Sequence, residues 1–211
     1  MLVLGLTGSI AMGKSHAARA FRAFGIPLFD ADAAVHALLA GPAVAAVRAA
    51  FPEAARGDGI DRQALGRVVF ADPAARRWLE RILHPLVRDA ERQFLEACCR
   101  RGESLVVLDI PLLFETHGEG RCDRVAVVST AGWLQAQRAL ARPGMSPSRL
   151  AGIRASQLPD RVKRRRADYV IHSGFDRGAT VGQIGTLLRE LAGVRGEAWP
   201  GRWARSGKGL R

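Results

Sequence analysis

The chain has 211 residues, 48% of them hydrophobic, and carries 32 lysines and arginines against 20 acidic residues, a formal charge of +12. That length suits one α/β domain with room for an insert, and no apolar run reaches the roughly 18 residues that a membrane helix needs. The charge suits polyanionic ligands, nucleic acid or small polyphosphates, but aromatics are 6% and do not interleave with the arginines, which disfavours a stacking platform for single strands.

Residues 2–7 form an apolar run that reads as a buried strand leading straight from the N-terminus, with no signal peptide expected. Gly8-Ser9-Ile10-Ala11-Met12-Gly13-Lys14-Ser15 follows and fits G-x-x-x-x-G-K-[ST], the phosphate-binding P-loop. An alanine-rich, helix-favouring segment comes next. Strand, glycine turn and helix is the context that supports the motif. The glycines let the backbone close around phosphate oxygens, and the helix N-terminus offers unpaired N–H groups with partial positive charge. In that geometry Lys14 reaches the β- and γ-phosphates and the Ser15 hydroxyl ligates Mg²⁺.

A second short strand is expected at residues 26–29, ending on Asp30-Ala31-Asp32. Carboxylates at the carboxyl end of a strand in an open parallel sheet lie where ligands bind. Asp30 reads as the helix cap and Asp32 as the chemical group. From about residue 34 to 100 the pattern is all-helical, with an apolar stripe at Trp78, Leu79, Ile82 and Leu83 that His84-Pro85 interrupts. We read this span as a helical insert over the nucleotide site. His84 by itself is as readily an ordinary histidine as a functional one.

The third strand, residues 105–109, ends on Asp109 in the Walker B shape, in which the carboxylate holds Mg²⁺ directly or through water. Pro111-Leu112-Leu113-Phe114-Glu115 follows, an apolar turn open to two readings, ligand contact or core packing. After a fourth strand at 124–129 comes a helix with Gln135, Arg138 and Arg142; the two arginines are four apart and are expected on one helix face. Pro143-Gly144 ends that helix, and a second one carries Arg149, Arg154 and Gln157. This basic hairpin reads either as a mobile lid for a transferring phosphoryl group or as a solvated charged face. A short basic helix at 159–166 leads into the fifth strand at 167–171 and a last amphipathic helix to about 191. Beyond residue 193 there is no apolar period, and a mobile basic tail is expected. Cys98, Cys99 and Cys122 form no CxxC pair and read as reduced, buried thiols. The five histidines lack metal-ligand spacing.

Five pieces, in order along the chain, together resemble the dephospho-coenzyme A kinases. They are Gly5-Leu6-Thr7-Gly8 through Ser15, Asp30-Ala31-Asp32, His84-Pro85, Asp109 through Glu115, and Gln157 onward to Ala167-Asp168-Tyr169-Val170-Ile171. The resemblance implies an α/β, three-layer P-loop NTPase fold like that of the nucleoside monophosphate kinases. Its five-stranded parallel core would take residues 1–33, 104–135 and 167–193, a helical coenzyme-A-binding insert 34–103, a lid 136–166, and the tail 194–211. It implies phosphorylation of the ribose 3′-hydroxyl of dephospho-coenzyme A by ATP with Mg²⁺.

Carried residue by residue, the resemblance makes Asp32 the general base, with Lys14, Arg138 and Arg142 as the other catalytic groups. Gly8, Ala11, Met12, Gly13, Lys14, Ser15 and His16 bind the nucleotide, and Ser15 is the metal ligand. Asp32, His84, Pro111, Leu112, Glu115, Gln157 and Arg161 are expected at the acceptor. Gly is usual in the family where this chain has Ser9 and Ala11, so Ala11 must accept the loop's backbone angles. A cytoplasmic monomer or weak homo-oligomer, with no membrane or nucleic-acid partner, is expected. Two other readings compete. Another small-molecule P-loop kinase would leave His84-Pro85 and the 111–115 turn unaccounted for. A nucleic-acid-binding NTP switch, suggested by the charge and the basic run at 163–166, has no recognisable binding module.

Overall fold

A computed structural model describes residues 1–174 and 176–206. The chain divides into two units, one of Met1–Phe29 with Leu95–Arg211, the other of Asp30–Phe94. The first opens with β1 (Leu2–Thr7), α1 (Lys14–Ala23) and β2 (Leu28–Asp30). The second holds α2 (Ala31–Leu39), α3 (Val44–Ala50), the hairpin strands β3 (Ala55–Arg56) and β4 (Gly59–Ile60), α4 (Arg62–Ala71) and most of α5 (Pro73–Arg100). The chain then returns through β5 (Leu105–Asp109), β6 (Arg124–Ser129), α6 (Gly132–Leu140), α7 (Pro147–Ala155) and α8 (Asp160–Arg166). It finishes with β7 (Tyr169–His172), α9 (Arg177–Leu191) and α10 (Gly201–Ser206).

The sheet order is β2-β5-β1-β6-β7. β1 lies at the centre, in parallel register with β5 on one side and β6 on the other, and β7 pairs in parallel with β6. A strand covered on both faces needs apolar residues throughout, and every residue of β1 is buried. Leu2, Leu4 and Leu6 point to one face, where they join Val107, Val128 and Ile171 against Ala17 and Phe21 of α1 and Ile184, Leu187 and Leu191 of α9. Each such leucine stabilises the fold by about 1.5–3 kcal/mol on burial. The same packing fixes the start of α1, and with it the P-loop, at the carboxyl end of the central strand.

The second unit has its own core of Leu39, Val47, Phe51, Leu65 and Leu83, flanked by Leu79 and Leu86. It departs from the all-helical expectation at the polar Arg56-Gly57-Asp58-Gly59 turn, where Gly57 at φ 53 closes the β3–β4 hairpin. α5 runs unbroken through Pro85. Proline there removes one helical donor, but Leu79, Ile82, Leu83 and Leu86 bury one stripe across the position. The unit ends at Phe94 and not near 103, because Leu95 and Cys98 are fully buried with the other unit.

The expectation of a mobile tail is corrected for residues 194–206. The Glu197 and Ala198 N–H groups donate to Asp123 Oδ1 at 2.6 and 2.7 Å, while Val3 N–H donates to its Oδ2 at 2.8 Å. The Arg202 guanidinium donates to the Cys122 carbonyl, and Trp203 Nε1 donates to the Arg121 carbonyl at 3.1 Å. Trp203 is 8% exposed and carries the Arg121 guanidinium over its ring. Residues 207–211 lie outside the described residues. Among the cysteines, Cys98 and Cys122 are buried as expected, but Cys99 is exposed. Burial pushes the Cys98 thiol above its ordinary value. No single described helix is long and apolar enough to cross a membrane; α2 and α3 reach that length only together, bent by 76°.

Candidate functional site

The P-loop closes the gap between β1 and α1, and two of its glycines are required by geometry. Gly13 has φ 91, and a Cβ there would sit 2.4 Å from Ser173 Oγ. A Cβ on Gly8 would meet the Val128 carbonyl at 2.8 Å. Ala11 settles the concern over its backbone angles by adopting φ 59. A left-handed residue with a Cβ costs about 1–2 kcal/mol. Part of that cost is offset because the methyl is 7% exposed and packs with Ala139 of α6 and Leu150 of α7.

The loop's peptides are held from outside. Ile10 N–H donates to Gln157 Oε1 at 3.0 Å, and Gln135 Nε2 donates to the Ile10 carbonyl at 2.9 Å. Ser173 Oγ donates to the Met12 carbonyl at 2.6 Å, and Thr130 N–H reaches Met12 Sδ at 3.3 Å. Arg138 in turn donates from Nη1 to both the carbonyl and Oγ of Ser173, at 3.1 and 3.0 Å, and from Nη2 to the Gly174 carbonyl. Each neutral bond is worth only about 0.5–1.5 kcal/mol net. Their larger effect is to fix the direction of the loop's N–H groups.

Lys14 Nζ lies 2.6 Å from Asp109 Oδ1 at the end of β5, with the two side chains 17% and 4% exposed. The Walker B-shaped carboxylate thus meets the P-loop ammonium. Ser15 is exposed in the first turn of α1, and His16 Nε2 sits 3.2 Å from the Arg177 carbonyl. No cluster of three or more His, Cys, Asp or Glu side chains able to hold a metal occurs among the described residues. The loop carries the Ser15 hydroxyl, and the Asp109 carboxylate meets it at Lys14. That donor set fits Mg²⁺, which takes one or two protein oxygens and completes its shell with phosphates and water.

The lid differs from expectation in one respect. α6 ends at Leu140, so Arg142 lies in the exposed turn beyond it and does not share a helix face with Arg138. In the 111–115 turn, core packing holds for Leu113 and Phe114, which are 0% and 1% exposed; Pro111 and Leu112 are half-buried. Glu115, expected at the acceptor, turns inward. Its Oε1 lies 2.8 Å from Lys163 Nζ and accepts from Leu158 N–H at 2.8 Å. Gln157 is engaged by the loop, as above. Arg161 is exposed, beside Arg164, Arg165 and Val170 around a pocket of about 350 Å³.

In the second unit, Asp30 caps α2 as expected, accepting from Ala33 N–H at 3.0 Å. Asp32 stands exposed in the first turn of that helix, two residues past the end of β2. His84 is exposed on α5.

A family model described as dephospho-CoA kinase matches residues 2–176. The chain belongs to the dephospho-CoA kinase family. A dephospho-CoA kinase of Paramagnetospirillum magneticum is 61% identical over 166 residues, covering 78% of each chain. One of Rhodospirillum rubrum is 50% identical over 214 residues, covering 100% of this chain and 99% of its own. A crystal structure from Thermus thermophilus is 35% identical, with a TM-score of 0.78 over 91% of this chain and 98% of that one. The dephospho-CoA kinase structure from Campylobacter jejuni, at 24% identity and TM-score 0.68, shares the fold. The protein is therefore a transferase of the kinase class on a P-loop α/β fold.

Gln135 and Ser173 bond to P-loop carbonyls and Lys163 pairs with Glu115, contacts that the sequence reading did not assign. Gln135 and Ser173 act through backbone contacts 125 and 161 residues away in sequence, which no local pattern reveals. Lys163 did leave a signal. The chain uses lysine only at positions 14, 163 and 208, so Lys163 stands out amid the arginines of α8.

Proposed function

We propose that the protein transfers the γ-phosphoryl group of ATP to the ribose 3′-hydroxyl of dephospho-CoA, giving CoA and ADP. The observation that carries this reading is the P-loop with its Ile10 and Met12 peptides bonded by neighbouring side chains and Lys14 at 2.6 Å from Asp109, in a chain of this family. Lys14 and the loop N–H groups hold the β- and γ-phosphates. Mg²⁺ would be held by Ser15, with Asp109 beside it, and supplies charge neutralisation for the phosphates when bound. Asp32 orients the 3′-hydroxyl and takes its proton, since an alcohol is a poor nucleophile until a positioned carboxylate assists it. Arg142, exposed in the turn after α6, offers its guanidinium to the transferring group, whose loose transition state spreads charge over the equatorial oxygens. Arg138 contributes from the side of Gly13.

His84, Pro111, Leu112 and Arg161 are the remaining groups assigned to the acceptor. The lid hairpin excludes water, which would otherwise accept the phosphoryl group. We place the enzyme in the cytoplasm as a monomer or weak homo-oligomer, acting on small molecules and not on nucleic acid. The test is coupled ADP release with and without dephospho-CoA, beside a panel of nucleosides and nucleoside monophosphates. Release that depends on dephospho-CoA alone is expected. Turnover with a nucleoside and none with dephospho-CoA would overturn the assignment.

A further inference from the structure

α8 looks like a solvated charge run, yet its residues divide sharply. Arg161, Arg164 and Arg165 are exposed, while Lys163 is 0% exposed. Its ammonium lies 2.8 Å from Glu115 Oε1 as an ion pair by distance, without hydrogen-bond alignment. An ammonium excluded from water in this way is expensive and must be matched by a nearby anion. Glu115 supplies the anion, and its second oxygen is buried with no hydrogen bond. A pair of apolar side chains would fill the same volume at lower cost. What they could not do is accept the Leu158 N–H, which Glu115 Oε1 does at 2.8 Å.

The segment that begins at Gln157 is fastened at four points. Gln157 Oε1 accepts from Ile10 N–H of the P-loop. Leu158 N–H is held by Glu115. Asp160 Oδ2 accepts from Ser129 Oγ at the end of β6, at 2.8 Å. Lys163 closes the segment on Glu115. Gln157 and Leu158 are consecutive, so the peptide that Glu115 fixes is the one that aims the Gln157 side chain at the loop.

We propose that Glu115 and Lys163 are positioning residues for the phosphate cradle. Glu115 sets the Gln157–Leu158 peptide, Gln157 sets the Ile10 peptide, and Lys163 makes the buried Glu115 charge tolerable. The proposal rests on the reading of the P-loop as the triphosphate site. It assigns Glu115 to the nucleotide side of the reaction, not to the acceptor.

The test is calorimetric affinity of the full chain for a non-hydrolysable ATP analogue with Mg²⁺, together with steady-state KM for ATP and for dephospho-CoA. Lys163→Met leaves the Glu115 carboxylate buried without its cation. It is expected to weaken the analogue about tenfold or more and to raise the KM for ATP alike, measured well below the variant's own Tm. Glu115→Gln with Lys163→Met removes both charges but keeps an oxygen for Leu158 N–H, and is expected to recover most of that loss. Gln157→Met is expected to weaken the analogue similarly, and Lys163→Met with Gln157→Met to be no worse than the poorer single variant, because the two act in series.

The proposal is overturned by wild-type analogue affinity in a folded Lys163→Met protein that is merely less stable, or by strictly multiplicative losses in the Lys163→Met, Gln157→Met pair. A rise in the KM for dephospho-CoA with unchanged ATP parameters would return Glu115 to the acceptor and also overturn it. These outcomes are separate from the kinase reading itself, which fails only if the wild-type chain binds no nucleotide or turns over no dephospho-CoA.

Discussion

The P-loop and the helical unit of Asp30–Phe94 hold their functional groups in opposite ways. Around the P-loop, side chains from α6, the segment before α8, and the end of β7 reach across more than a hundred residues of sequence to single peptides. In the helical unit, Asp32 and His84 ride on helices whose positions are set by local caps and a small apolar core, and both side chains are exposed. The difference teaches where precision is needed. A phosphate cradle works through backbone dipoles whose direction must be fixed before the ligand arrives. The base and acceptor contact proposed for Asp32 and His84 need only be presented, and a cap with a buried stripe does that.

The sharpest way to break the comparison is at Lys14. Lys14→Ala is expected to lower kcat/KM by about 10²–10³ or more, as for loss of a principal charge-stabilising group. It also removes the ammonium from Asp109, which is 4% exposed, so stability should fall by a few kcal/mol. Lys14→Ala with Asp109→Asn should regain stability without activity; thermal melts and turnover on the same samples decide it. A folded Lys14→Ala enzyme with normal turnover would remove the P-loop from the mechanism.

Asp32 tests the other region. Asp32→Asn is expected to lower kcat by about 10²–10⁴, the range of a positioned general base, with Tm near wild type because the residue is exposed. Asp30→Ala should show the reverse, about 1 kcal/mol of stability lost with the cap and kcat within a fewfold. Equal kcat in wild type and Asp32→Asn would shift the base role elsewhere.

The two lid arginines are expected to separate. Arg142→Ala should lower kcat roughly tenfold or more with unchanged Tm, since its exposed side chain holds no hydrogen bond or ion pair among the described residues. Arg138→Ala should lower both, because it frees Ser173 and Gly174 and, through Ser173, the Met12 peptide. Identical Tm values for the two variants would show that the Arg138 contacts are incidental.

Trp203→Ala probes a contact far from the chemistry. Removing a nearly buried indole and its hydrogen bond to the Arg121 carbonyl should cost about 3 kcal/mol, seen in denaturant melts, with kcat/KM within a fewfold. Coincident melts of variant and wild type would mean that the docked tail adds no stability.

The smallest effect belongs to Asp61, the cap of α4. The Ala64 N–H, with the Gln63 N–H, holds its carboxyl below the ordinary value of 3.8. A lowered folded value means the contribution is complete above pH 3.8 and is lost as pH falls through the folded value. Asp61→Asn should keep the cap and flatten that part of the acid limb. An unchanged slope below pH 4 would show that the cap does not depend on charge.

The P-loop, the strand-ending carboxylates and the positions of the five sheet strands along the chain were legible in the sequence, because each is written in consecutive residues with a local physical cause. Glycine spacing permits the loop, apolar runs make buried strands, and Asp30 sits where a helix begins. The helical reading across His84-Pro85 holds, since a buried stripe outweighs one missing donor. The absence of period after residue 193 misled, since a tail can dock through one tryptophan, Trp203, and a single carboxylate, Asp123, without any period at all.

What the tertiary structure decided was the partner of each polar group. The sequence shows Glu115 after an apolar turn and Lys163 in a basic run; only the fold brings them 2.8 Å apart, with Lys163 fully buried. It shows Ala11 where a left-handed angle is required, and only the packing against Ala139 and Leu150 explains how the methyl is accommodated. Local chemistry is read along the chain because backbone preferences act over a few residues. Burial, charge pairing and the aim of a hydrogen bond depend on which distant segments meet, and that is settled only when the core is packed.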